Sequence, residues 1–136
     1  MNLKEKLVSI LQTDAQSVVA GSLGALLGHQ ATAPYGVFFT DPPTKPDFPL
    51  IVYALNTRHG RMPHIISFSI SVYGGDVDAI HSRIEALLHE KQSSFTDLSD
   101  YYVRRVEHNW DGPDDFDEKM RVSWRQARYL FYTLRK

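Results

Sequence analysis

Residues 65–91 read IISFSISVYGGDVDAIHSRIEALLHEK. Ile66, Phe68, Ile70 and Val72 alternate with Ser67, Ser69 and Ser71, the two-residue period of a strand with one buried face. Gly74 and Gly75 end that pattern. Beyond them Val77, Ile80, Ile84, Leu87 and Leu88 fall on one stripe of an amphipathic helix. Asp76 and Asp78 stand in its first turn, where acids suit the helix dipole, and His89 and Lys91 in its last. The stretch is a strand leading into a helix that packs back on the sheet. A glycine pair between strand and helix also occurs in phosphate loops, but GxxxxGK[ST] and GxGxxG are both missing, so a tight turn is expected.

Outward from this unit the chain reads as helix, helix and strands. Leu3, Leu7, Ile10 and Leu11 mark a first amphipathic helix, which Thr13 and Asp14 break. The two residues cap a second helix over 15–27, with Val18, Val19, Leu23, Leu26 and Leu27 as its apolar positions and Gly28 as its stop. Gly21 and Gly24 weaken that segment as a helix. Val37, Phe38 and Phe39 form a short strand. Residues 41–49, DPPTKPDFP, hold four prolines and form a surface loop. Residues 50–55 are the second strand, joined as a hairpin to the third through the polar turn NTRHGRMP, 56–63.

After the helix, 92–100 is a polar loop with Phe95 and Leu98 tucked beneath it. Residues 101–110 are a fourth strand with Tyr102, Val106 and Trp110 as core positions. An acidic turn follows at 111–118; Phe116, Met120 and Trp124 space as a short helical stripe, and both helix and strand stay open over 117–127. Residues 129–134 are the last strand. The order α, α, β, β, β, α, β, β predicts an α+β fold: a small, mainly antiparallel sheet with helices packed on one face.

A chain of 136 residues is most simply one domain, 1–136, with room for one real core. No apolar run approaches the roughly 20 residues that span a bilayer, and MNLKEKLVSILQ does not read as a signal peptide. The chain has no cysteine, which excludes disulfides, thiol catalysis and Cys-type zinc sites and fits an intracellular protein. The formal net charge of −1 provides no general basic field for nucleic acid.

The motifs are chemically quiet. The six histidines, His29, His59, His64, His81, His89 and His108, fall in no local ligand pattern. His81 and His89 are about 12 Å apart along a helix, too far to share an ion. Structural or surface roles are expected for all six. The acids Asp111, Asp114, Asp115, Asp117 and Glu118 lack calcium-loop spacing. Ser67, Ser69 and Ser71 lack a nucleophile elbow and read as the polar face of a half-covered sheet, open to water or to another subunit. Arg104, Arg105, Arg121, Arg125 and Arg128 are too scattered for a nucleic-acid platform. If 121–128 is strand, its three arginines do not all share a face.

Four stretches in order carry a family likeness: KEKLVSILQTDA, FPLIVYAL, ISFSISVYGGDVDAIHSRIEALL, and WDGPDDFDEKM with ARYLFYTLR. The chain resembles the tail-completion or tail-terminator proteins of long-tailed bacteriophages and related prophage elements. The likeness covers nearly the whole chain and is weakest at 15–35 and 41–49. It implies a small antiparallel sheet with helices, assembled as a hexameric ring at the head-proximal end of the tail tube. Such a ring stops tube polymerisation and meets the head connector. The implied partners are further copies, the tail tube protein and the head–tail connector proteins. DNA passes through without specific binding, and no membrane, enzyme activity or cofactor is implied. The implied location is the virion, after assembly in the host cytoplasm.

On this footing the turn of Asp111, Asp114, Asp115, Asp117 and Glu118 is a candidate lumen or subunit-interface element, from its charge density. Arg58, His59 and Arg61 form a candidate partner-contact turn, from their exposed basic character. Another neck or head-completion protein, or a small-ligand-binding α+β module, are the alternatives.

Overall fold

The structure, a computed structural model, describes residues 1–56 and 64–136. It is α+β, with a six-stranded sheet that is antiparallel except for its first pair. In chain order the elements are α1 (Leu3–Ala15), α2 (Leu23–Leu27), β1 (Val37–Phe39), β2 (Leu50–Asn56), β3 (His64–Tyr73), α3 (Val77–Leu88), a 3-10 turn (Gln92–Phe95), β4 (Tyr101–Asp111), β5 (Asp115–Asp117) and β6 (Val122–Arg135). The strands lie in the order β1-β2-β3-β6-β4, and β5 continues the β4 side of β6.

The two-residue period of β3 sorts the sheet into two faces. Ile66, Phe68, Ile70 and Val72 sit opposite Phe131, Tyr129, Ala127 and Arg125 of β6. All of these except Arg125 join one core with Leu3, Leu7, Leu11 and Ala15 of α1 and Ile80, Ile84 and Leu88 of α3. Phe131 is its centre, edge-on to Phe68 at 6.4 Å and to Phe95 at 5.1 Å between ring centroids. Helices therefore close one face, as the element order implies. The other face carries Ser67, Ser69 and Ser71 with Leu130, Arg128 and Gln126 opposite them.

The helical layer differs from expectation at 12–27. Helix α1 runs through Thr13 and Asp14 to Ala15, and α2 is only Leu23–Leu27. Asp14 does not end the helix because its carboxylate is engaged elsewhere. One oxygen accepts the Leu23 N–H at 2.8 Å and Arg83 Nε at 2.9 Å; the other accepts Arg83 Nη2 at 2.6 Å. Ser22 caps α2 by accepting the Ala25 N–H, and Gly28 ends it in the left-handed region. Val18 and Val19, expected on a helix face, lie instead on the exposed turn 16–22.

Bonded to Arg83, and despite partial burial, the Asp14 carboxyl is held below its usual range, with help from the Leu23 N–H. Asp14→Asn is expected to lose about 2 kcal/mol at neutral pH, the scale of hydrogen bonds to a charged group. A depressed folded-state pKa gives stability that is present above the unfolded value and lost as pH falls through the folded one. Urea titrations of the two proteins should therefore differ at pH 7, and the gap should begin to narrow near about pH 4 and close only below the folded-state pKa; a gap that does not shrink in acid would contradict the ionic account.

The β4–β6 side decides one open reading and corrects two others. Of helix and strand over 117–127 the chain takes strand: Phe116 pairs with Ser123, and Trp124 lies in β6, stacked on Tyr73 at 5.6 Å. The turn between them is closed by Asp117, which takes the Met120 N–H on its side chain and the Arg121 N–H on its carbonyl. The last strand begins at Val122 rather than at 129, paired with β5 and β3 from its start; Arg125, on a core-side position that periodicity assigns to a hydrophobe, masks that extension in the sequence. Tyr102 and Trp110 are 59% and 42% exposed rather than core; only Val106 of that trio is buried. Register shifts between Val103 and Arg105 and between His108 and Trp110 re-aim side chains along this edge strand. Helix α3 matches expectation in its span, except that His89 is its C-cap and Lys91 lies beyond it.

Both sheet edges are blunted. β1 has only three residues. On β4 the middle is covered, since the Glu90 N–H bonds the Val106 carbonyl and the His108 N–H bonds His89 Nδ1.

Candidate functional site

The acidic turn forms at one end of the sheet, where β4 leaves β6 and β5 rejoins it. Gly112 is buried there, its N–H on the Gln126 carbonyl at 2.7 Å, with the Trp110 ring against its open side. The five candidate acids are brought together, but four have structural tasks. Asp111 Oδ1 meets His108 Nε2 at 3.1 Å. Asp114 lies 3.4 Å from Arg125 Nη1. Asp115 accepts the Phe116 N–H, and Asp117 closes the β5–β6 turn. Glu118 is exposed.

Arg125 is the centre of this end, and the sequence reading passed over it. Its guanidinium is largely shielded and bridges Asp78 of α3, at 2.5 Å, to Asp114. Burial works against its charge; Asp78, then Asp114 and Asp111, more than offset that and hold it protonated. Arg128 points to the other face, its guanidinium 5.4 Å from the Trp110 ring, so the arginines of β6 do part company across the sheet. A surface cleft of about 370 Å³ joins the turn to the proline loop, lined by Pro42, Pro43 and Pro46 on one side and Asp117, Lys119 and Met120 on the other.

Next to Arg125, α3 meets the sheet through histidines. His81 is buried, with Nε2 2.8 Å from the Arg125 carbonyl, so Nε2 carries the proton and donates it. His81 Nδ1, Arg125 Nε and the Tyr129 hydroxyl are buried without hydrogen-bond partners. His108 stacks on the Tyr129 ring at 4.8 Å, with Nδ1 3.3 Å from Glu85. Burial, then Glu85 and Asp111, keep the Tyr129 phenol protonated well above its usual range.

Burial lowers the His81 pKa; the bond to the Arg125 carbonyl opposes this and the Arg125 charge adds to it. The unfolded chain thus takes the proton first, and stability falls as pH drops below about 6.5, levelling off under the folded-state value. His81→Gln is expected to flatten the change in thermal midpoint between pH 7.5 and pH 5.5. An unchanged slope would place the proton uptake elsewhere.

The opposite end of the sheet carries both signs, with Arg104, Arg135, Lys136 and Asp97 exposed and Lys136 Nζ 4.7 Å from the Tyr102 ring. The candidate turn of Arg58, His59 and Arg61 lies outside the described residues; Asn56 and His64, which flank it, are at this end of the sheet. Among the described residues no group of three His, Asp or Glu side chains is placed to hold a metal ion. No described helix is long and apolar enough to cross a membrane. No protein-family profile and no curated protein matches the chain.

Proposed function

We propose that this chain is a structural virion protein: a ring subunit at the head-proximal end of a long-tailed phage tail tube, which ends tube polymerisation and joins the tail to the head connector. The observation that carries the reading is the face of the sheet turned away from the helices. Ser67, Ser69, Ser71 and Ala54 lie on it uncharged, Arg128 and Glu107 stand farther across it, and the exposed Tyr102 and Trp110 rim it, a mix of polar, charged and aromatic groups that suits a surface met by protein. Two features add support. The stretches of the family likeness fall in order on α1, β2, β3 with α3, and β4 to β6. The sheet also has one strongly acidic end and one of mixed charge, which suits a subunit meeting different assemblies above and below. An acidic lumen would give DNA phosphates little to grip. The reading involves no catalysis and no cofactor. Its partners are further copies, the tube protein and the connector.

Tube protein from the same genome, polymerised with and without this chain, tests the reading. Added chain should give shorter tubes with one end closed in negative stain. Tubes of unchanged length with bare ends would count against it. Asp115→Ala combined with Glu118→Ala should leave the thermal midpoint within about 2 °C, as surface changes do, and should impair tail assembly or DNA passage. Unaltered assembly and infectivity would remove the acidic turn from the account.

A further inference from the structure

Just past α3 the chain turns onto the outer edge of β4 and bonds it twice. The Glu90 N–H donates to the Val106 carbonyl at 2.9 Å, and the His108 N–H donates to His89 Nδ1 at 3.0 Å. A carbonyl at one residue and an N–H two residues on are what a parallel neighbour strand would bond. The His89 imidazole therefore stands where that strand's carbonyl would stand. Glu90 holds φ +57, in the left-handed region, which a non-glycine residue occupies at a cost. Residues 89 and 90 thus latch the edge through two bonds and one strained residue.

The bond from His108 fixes the state of His89. Nδ1 accepts only when it carries no proton, so the ring is neutral with its proton on Nε2. A proton added to Nδ1 would set one N–H against another. The charged groups nearby have other partners. Glu85 of α3 is 3.3 Å from His108 Nδ1, and Asp111 is 3.1 Å from His108 Nε2. Glu90 pairs with Arg105 of β4 at 3.2 Å. Lys91, next in the chain, is exposed, and Tyr129 of β6 stacks on the His108 ring. Any pull of these acids on an imidazolium acts whether or not the ring faces the His108 N–H. That bond is what differs between a closed and an open latch.

We propose that residues 89–90 form a proton-released latch. Neutral His89 keeps the β4 edge covered, and protonated His89 uncovers it between Val106 and His108. A proton on Nδ1 is incompatible with the closed latch, so acid favours the open form. Histidine changes charge between about pH 5 and 8, so mild acid suffices. Release bares the Val106 carbonyl and the His108 N–H, edge groups that sheets keep covered against strand addition. The latch is local, unlike the effect of His81 on the whole fold, and it does not rest on the ring reading.

Hydrogen exchange of single amides, followed by NMR on the full chain, tests it. Corrected for the intrinsic rate, the His108 N–H is expected to lose about tenfold protection between pH 7.5 and pH 5. In His89→Ala it should exchange fast at both pH values. In His89→Asn, whose Oδ1 takes the place of Nδ1 and does not titrate, it should stay protected at both. The Ile70 N–H, inside the β2–β3–β6 ladder, should follow the parent in both variants. Nitrogen spectra of the ring at pH 7.5 should place the His89 proton on Nε2, a readout that needs no variant. A proton on Nδ1 would overturn the proposal. So would protection of the His108 N–H that is flat with pH, or a pH dependence that survives in both variants.

Discussion

Gly24→Ala is expected to lower the thermal midpoint by about 10 °C or more, the equivalent of roughly 3 kcal/mol, at the upper end of overpacking costs. A Cβ at Gly24 would stand 1.9 Å from the Ser17 carbonyl oxygen and 2.7 Å from that of Ala15. Both are backbone atoms, and neither can rotate away. Relief requires moving the 16–22 turn off α2, which pulls the Leu23 N–H from Asp14. Ala is the better helix former by about 1 kcal/mol, so a propensity argument predicts the opposite sign. Gly21 provides the contrast. It has φ +84 with no atom within 4 Å of an added Cβ, so Gly21→Ala should carry only the backbone cost, about 1 kcal/mol. Differential scanning calorimetry of the pair decides the matter; a Gly24→Ala protein as stable as its parent would show that the turn yields easily.

Phe131→Ala is expected to cost about 4 kcal/mol, as large-to-small changes at fully buried aromatic sites do. Phe131 has no solvent exposure and lies between Phe68 and Phe95, both edge-on to it. Losing the ring opens a cavity that the flanking rings cannot fill, because β3 and the 3-10 turn fix them. Phe131→Leu should recover more than half of the loss. Urea titration reads both; a loss below about 1.5 kcal/mol would mean that the core collapses around the gap.

The fold was legible wherever one period ran unbroken. β3 and α3 each keep theirs from end to end: Ile66, Phe68, Ile70, Val72, Ile80, Ile84 and Leu88 are buried, and Val77 and Leu87 pack half-buried against them. Legibility failed where a long-range polar contact overrides a local rule. Asp14 looks like a helix breaker, yet its partner Arg83 is on α3, so α1 continues. Arg125 interrupts the apolar alternation of β6, yet Asp78 receives it across the fold and the strand extends back to Val122. The acidic turn was visible as charge, while its centre was not, because Asp78 and Asp114 reach Arg125 only once α3 and β5 flank β6. Val18 and Val19 matched a helix stripe and proved to be the most exposed valines of the helical layer. No periodicity separates an apolar residue destined for the core from one left in water on a turn.

The most direct measurement is mass in solution by light scattering over a concentration series, repeated with purified tail tubes. The account predicts a hexamer, or ring formation that depends on the tubes. A monomer or twofold dimer that ignores tubes at every concentration would contradict it.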